Sequence, residues 1–208
     1  MTLEEAIKKI EGLNDNAMEE CKKRWDSIAK PLHSLGKLED FLVKIAGITG
    51  TNHIDLSKKA LVEMCADNGV VEEGVTQTGQ EITALVTENF LKMQSTASVM
   101  CHKLGADLIP IDIGVAVDTN AWNRKVAYGT KNMTKGPAMT REEAIKALEI
   151  GIDLVGELKE KGYRIIATGE MGIGNTTTSS AMAAVFLDVP VEQVTGKGAG
   201  LSSEGLLR

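Results

Sequence analysis

The sequence predicts an α/β protein: a three-layer, Rossmann-like parallel sheet with crossover helices, preceded by an N-terminal helical small lobe. Three observations predict it. After Lys59, short apolar runs alternate three times with helical patterns, as a parallel sheet with crossover connections requires. Before residue 51 the apolar residues recur only at three-to-four spacing. The chain also has 21 glycines but only four prolines and 3% aromatic residues, which suits helices and tight turns more than an all-β sandwich. The expected division is a helical segment over 1–50 and an α/β nucleotide-binding domain over 51–208.

Taken in order, Leu3, Ala6, Ile7 and Ile10 share one helical face, and Met18, Cys21, Trp25 and Ile28 share another before Pro31 stops the chain. A third helix is expected from an N-cap at Ser34, with Leu38, Phe41, Leu42 and Ile45 on one face and an end at Gly47 and Gly50. "ALVEMCAD" reads as a strand buried on both faces. "QEITALVTENFLKMQSTASVMCHKLG" reads as helix, with room for a break in its polar middle, and ends at Gly105. "ADLIPIDIGV" is the second strand, followed by the polar loop "DTNAWNRKVAYGTKNMTKGPAM". Thr140 and Glu143 form a capping box for a helix running to Gly162. "YRIIATGE" is then the third strand and "TTSSAMAAVFLD" its helix.

A length of 208 residues with 43% hydrophobic content suits one globular domain with an appendage. The formal net charge of -6 gives no broad attraction to nucleic acid or acidic lipid, so the expected partners are small molecules. "MTLEEAIKKI" lacks the pattern of a signal peptide and no apolar run is long enough to span a bilayer, so a cytoplasmic protein is expected. Cys21, Cys65 and Cys101 form no C-x-x-C pair, and His33, His53 and His102 have no ligand spacing. Neither a metal site nor a cofactor is expected.

In an open parallel sheet, ligands bind beyond the carboxyl ends of the strands. There the sequence places "ADNGVVEEGVTQTGQ", "DIGV" and "GEMGIGNTTTSSA". The last has no Lys after its glycines and no G-x-G-x-x-G spacing, so it is neither of the common nucleotide loops. Its small residues let backbone amides approach a ligand at a helix start, where the dipole favours an anion such as a phosphate monoester. Asn175, Thr176 and Thr177 add side-chain donors. The competing reading is that the glycines only turn the chain and Thr177 only caps the helix. In "TGKGAGLSSEG", Lys197 is a candidate for neutralising a phosphate, and Ser202 and Ser203 are candidate caps; a plain surface turn reads equally well.

Glu170 is not explained by a phosphate. A carboxylate beside an anion implies a separate task, such as accepting a proton or holding a hydroxyl-bearing or positive part of the ligand, and this points to a glycosyl or phosphoribosyl centre. Asp67, Glu72 and Glu73 are further candidate carboxylates, although the two glutamates read better as a solvated turn.

With these stretches assembled, the chain resembles the nicotinate-nucleotide:dimethylbenzimidazole phosphoribosyltransferase family of cobalamin biosynthesis. "PLHSLGKLE", "ADNGVVEEGVTQTGQEIT", "DIGV", "GEMGIGNTTTSSA" and "TGKGAGLS" match that family's segments in order, across nearly the whole chain. The resemblance implies that a benzimidazole nitrogen attacks C1′ of nicotinate mononucleotide, expelling nicotinate and giving α-ribazole 5′-phosphate. It implies Glu170 as one of two carboxylates at the reacting centre. Gly172, Gly174, Asn175, Thr176 and Thr177 would hold the ribose phosphate, and Thr76 and Gln80 would help form the base pocket. It also implies a homodimer.

Leu32, His33 and Asn68 depart from the family's usual residues near the expected base pocket. Family members are also longer. The sequence is therefore expected to be a truncated form lacking the C-terminal part of the fold, with the glutamate assigned as general base absent and a phosphate-contacting basic residue at or beyond Arg208. The alternative expectation is a catalytically incomplete nucleotide-phosphate-binding fragment or subunit that needs a partner chain.

Overall fold

The computed structural model describes residues 1–206. Capping residues and apolar spacing produce the first three helices, α1 (Leu3–Lys8), α2 (Asp15–Asp26) and α3 (Lys37–Thr49). Thr2 and Glu5 form a capping box on α1, and Asn14 caps α2. Cys21, Val43 and Ala46 make a small core with Met18, Trp25 and Ile54 around it. The expected cap at Ser34 is not made: Gly36 occupies the cap position of α3, with no side-chain cap bond. The expected face is also rotated, because Leu38 and Phe41 are exposed while Glu39 is buried. Lys30 explains this, holding the Glu39 carboxylate at 2.9 Å while the Leu35 amide donates to it at 3.1 Å.

The chain divides into two units, Thr2–Ser57 and the remainder from Lys58 with Met1. The boundary falls after Ser57 rather than at residue 50. The second unit contains β1 (Lys59–Ala66), β2 (Ala106–Gly114), β3 (Trp122–Asn123) and β4 (Ile165–Met171), all parallel, in the order β3-β2-β1-β4. Its longer helices are α4 (Glu81–Leu91), α5 (Thr96–Leu104), α6 (Arg141–Glu160) and α7 (Asn175–Leu187). The long helical stretch before Gly105 is two helices. Met93 adopts a positive φ of 58°, and Ser95 starts α5 with a capping box to Ser98. The polar loop after β2 contains β3, an element that sequence reading does not reveal.

Strand alternation sorts the sheet's side chains into two layers. Val62 and Ile111 pack with Leu154 and Leu158 of α6, while Cys65 and Val115 pack with Phe90 of α4 on the opposite face. The fold is thus the three-layer α/β class. The chain moves from β1 to β2 on one side and then returns through α6 to β4 on the other. Strands β1 and β4 therefore flank a topological switch point, where loops separate and leave a crevice beyond the strand ends. No helix among the described residues is long and apolar enough to cross a membrane.

The "DIGV" segment fixes the loop after β2. Asp112 is 1% exposed and holds Lys125 Nζ at 2.9 Å, accepts from the Val115 amide at 3.0 Å and accepts from Thr119 Oγ1 at 2.9 Å. Lys125 also donates to the carbonyls of Val115 and Val117. Removing one partner of such a pair strands the other charge without water. Asp112→Ala should lower unfolding stability by about 3–5 kcal/mol in urea titrations; a change below about 1 kcal/mol would contradict this role.

Candidate active site

The crevice beyond β1 and β4 holds a cleft of about 480 Å³. Three segments wall most of it, Val75–Thr78 after β1, Glu170–Thr177 from the end of β4 into α7, and Thr195–Ala199 beyond α7, and Leu201, Gly205 and Leu206 complete the lining. Of the residues singled out from sequence, Thr76, Glu170, Gly172, Gly174, Asn175, Thr176, Thr177 and Lys197 all line it. Gln80 does not line it. Its Nε2 instead donates to the carbonyl of Asn68 at 3.1 Å, securing the loop between β1 and α4.

The turn from β4 into α7 is set by glycines at positions where other residues cannot sit. A Cβ at Gly172 would run into the backbone carbonyl of Ala66, and Gly174 adopts a φ of 87°. Asn68 braces this turn from the end of β1. Its Nδ2 donates to the Ile173 carbonyl at 3.1 Å, and its Oδ1 accepts from Thr178 Oγ1 at 3.0 Å. The Ile173 amide in turn donates to Thr83 Oγ1 of α4 at 3.0 Å. Sequence reading marks Asn68 only as a departure; its task here is structural. Leu32 and His33 fall in the unit Thr2–Ser57.

Gly174 stands at the N-cap of α7 and supplies no side chain, and Thr177 makes no cap bond. The Asn175 amide donates to the Gly172 carbonyl at 3.0 Å, whereas those of Thr176 and Thr177 meet the cleft without a capping side chain, and the helix dipole adds partial positive charge there. Lys197 Nζ, on the facing segment, donates to Ser203 Oγ at 2.8 Å. Ser202 caps the turn that follows, accepting from the Gly205 amide at 3.0 Å. Gln77 Nε2 donates to the Gly200 carbonyl, joining two walls of the cleft. Together these groups can receive an anion. Arg208 lies outside the described residues.

Glu170, next to last in β4, stands at the same mouth, where Asn175 Nδ2 donates to its Oε2. Partial burial raises its carboxyl above the ordinary glutamate value, although the residue as a whole is exposed. The amide of Asn175 is thus engaged with the carboxylate rather than free for a phosphate. Glu72 and Glu73 do not line the cleft. They bond Lys135 and Asn132, at 2.9 and 2.5 Å, and so fasten the loop after β1 to the segment before α6. Lys135 holds the Glu72 carboxyl below its usual range, as does Asn132 for Glu73.

A second carboxylate near Glu170 escapes sequence reading. Glu63 lies in mid-β1, 8% exposed, paired in register with Gly169, and its carboxyl covers that glycine. Its Oε2 is buried without a hydrogen-bond partner among the described residues, and burial, followed by the charge of Glu170, pushes its pKa up. The only signal in the sequence is one charged residue inside the apolar run "ALVEMCA".

With this geometry in place, comparison with known proteins defines the class. A family model described as "Phosphoribosyltransferase" matches residues 10–208, and the chain belongs to that family. Among the similar curated proteins are the nicotinate-nucleotide–dimethylbenzimidazole phosphoribosyltransferases of Ruminiclostridium cellulolyticum and Clostridium acetobutylicum. The first is 50% identical over 100% of this chain and 60% of its own length. The second is 49% identical over 98% of this chain and 59% of its own. The crystal structure of CobT from Thermus thermophilus superposes with a TM-score of 0.85 at 36% identity, covering 92% of this chain and 59% of that one. The chain thus spans about 60% of the length of the relatives it matches.

The buried, unpartnered carboxyl of Glu63 generates a stability prediction. Its raised pKa makes the folded state favour the protonated form, so this glutamate opposes folding above that pKa and ceases to do so as pH falls through it. Glu63→Met should raise stability at pH 7 by about 1–3 kcal/mol, with the gain shrinking in acid. Denaturant titrations at several pH values check this, and a pH-independent loss of stability would contradict it.

Proposed function

We propose that this chain provides the phosphoribosyl site for transfer from nicotinate mononucleotide to 5,6-dimethylbenzimidazole or a related base, releasing nicotinate and forming α-ribazole 5′-phosphate. One observation carries the reading: a single cleft joins the uncapped N-terminus of α7 to Glu170, with Asn175 bonded between them. The names of the relatives supply the substrates.

In this reading the 5′-phosphate sits against the first turn of α7, with Thr176 and Thr177 as hydroxyl donors and Lys197 as the facing cation. The ribose then extends toward Glu170. A ring nitrogen of the base attacks C1′ as the bond from C1′ to the nicotinate nitrogen breaks. The departing nicotinate takes that bonding pair and loses its ring positive charge, and the other ring nitrogen of the base releases its proton to a carboxylate. The leaving group is already cationic, so orientation in the cleft supplies most of the rate. Asn175 orients Glu170 toward the base.

A general base works in its ionised form, and the carboxyl of Glu170 is raised. Activity should therefore fall in acid with a midpoint above that of an ordinary glutamate, and this limb should vanish in Glu170→Gln. The experiment is nicotinate release coupled to α-ribazole 5′-phosphate formation by the purified chain. Glu170→Gln should slow it by about 10²- to 10⁴-fold while leaving affinity for nicotinate mononucleotide within a few-fold. An unchanged rate in the variant would overturn the role of Glu170. Nucleotide binding with no transfer by the unaltered chain would overturn the activity and leave a binding subunit.

A further inference from the structure

We propose that Gln77 is a positioning residue for nucleotide binding: it latches a strap, residues 195–201, against the first turn of α7, and the nucleotide exchanges only when that latch opens. The proposal rests on the reading of the cleft as a nucleotide-phosphate site. Most of the strap lines the cleft, and it carries Lys197. Its root is fixed, because Ser180 Oγ of α7 donates to the Val194 carbonyl at 2.9 Å. Beyond that root every residue from Thr195 to Gly200 is exposed, and Leu201 is half-buried. A segment with so little buried surface separates from the fold at low cost.

The seated position is set by two contacts. Gly198 lies so near α7 that a Cβ there would stand 2.9 Å from Thr176 Oγ1, which brings the strap's backbone onto a hydroxyl assigned to the phosphate. Gly200 takes a φ of 115°, and its carbonyl accepts from Gln77 Nε2 across 123 positions of sequence. Thr76 Oγ1 donates to the Thr78 carbonyl at 2.8 Å and so fixes the turn that presents Gln77. The Lys197 carbonyl accepts from the amides of Gly200 and Leu201 at 3.0 and 2.8 Å. Lys197 and Gly200 therefore move as one piece, and a bond at Gly200 places the cation.

Opening follows from where the strap sits. A phosphate bound at Thr176 and Thr177 has to pass the backbone of Gly198, so the strap must lift to admit it. Lys197 neutralises that phosphate only after the strap reseats. Gln77 acts through Gly200 rather than on the phosphate. A neutral hydrogen bond of this kind favours the seated state by about three- to tenfold. Affinity for a ligand that needs the seated strap scales with the seated fraction, so the same factor appears in nucleotide binding.

Trypsin reads the latch directly, because cleavage after Lys197 tracks the population in which the strap has left the cleft. In the full 208-residue chain this cleavage, followed by mass spectrometry, should slow when nicotinate mononucleotide is added. Gln77→Ala should speed it about three- to tenfold without nucleotide and weaken calorimetric affinity for nicotinate mononucleotide by a similar factor. Gln77→Glu keeps the shape but offers no donor at pH 7, and should match Gln77→Ala in cleavage. Gln77 is exposed, so neither change should move the urea midpoint, and cleavage after Lys22 or Lys44 should stay constant. Equal Lys197 cleavage in all three proteins would overturn the proposal, as would faster cleavage in Gln77→Ala with unchanged nucleotide affinity. Failure of the unaltered chain to bind nicotinate mononucleotide would instead remove the reading on which the latch rests.

Discussion

The second unit depends on how closely the β4–α7 turn approaches the end of β1. Gly172 lies so near the Ala66 carbonyl that a side chain has no room, and Gly174 must take a left-handed conformation to start the helix. Asn68 and Thr83 then fasten Ile173 between them. This contact brings the positive end of α7 to the switch point of the sheet and keeps a capping side chain away from it. The cleft and the position of Glu170 at its mouth both follow from that one approach.

Carboxylates around the end of β1 divide the remaining work by what each is bonded to. Asp112 is satisfied by Lys125, Thr119 and an amide, and shapes a loop. Glu72 and Glu73 are satisfied by Lys135 and Asn132, and fasten another. Glu170 has one side-chain donor, sits at the cleft mouth and has a raised pKa, the condition expected of a proton acceptor. Glu63 and Asp67 each keep a buried oxygen without a donor among the described residues. Such oxygens reduce stability.

The legible parts of this fold were those that local chemistry decides. The three main strands are apolar runs, the Thr140–Glu143 capping box marks the start of α6, and the glycine-rich turn announces the start of α7. What escaped was decided by tertiary partners. The two-residue strand β3 exists only because β2 offers a parallel edge. The buried face of α3 turns because Lys30 stabilises Glu39 inside, a pairing that helical spacing cannot anticipate. Gln80 reads as a ligand contact but is turned toward Asn68. Glu63 showed as one charge in an apolar strand, and its closeness to Glu170 emerges only when β1 pairs with β4.

The proposed transfer would rest above all on the uncapped start of α7 receiving a phosphate monoester. Calorimetric titration of the purified chain with nicotinate mononucleotide and, separately, with nicotinate riboside tests that most directly. The riboside, lacking only the phosphate, should bind at least about tenfold more weakly, the scale of losing charge-assisted hydrogen bonds. Equal affinity for the two would contradict the phosphate site at α7.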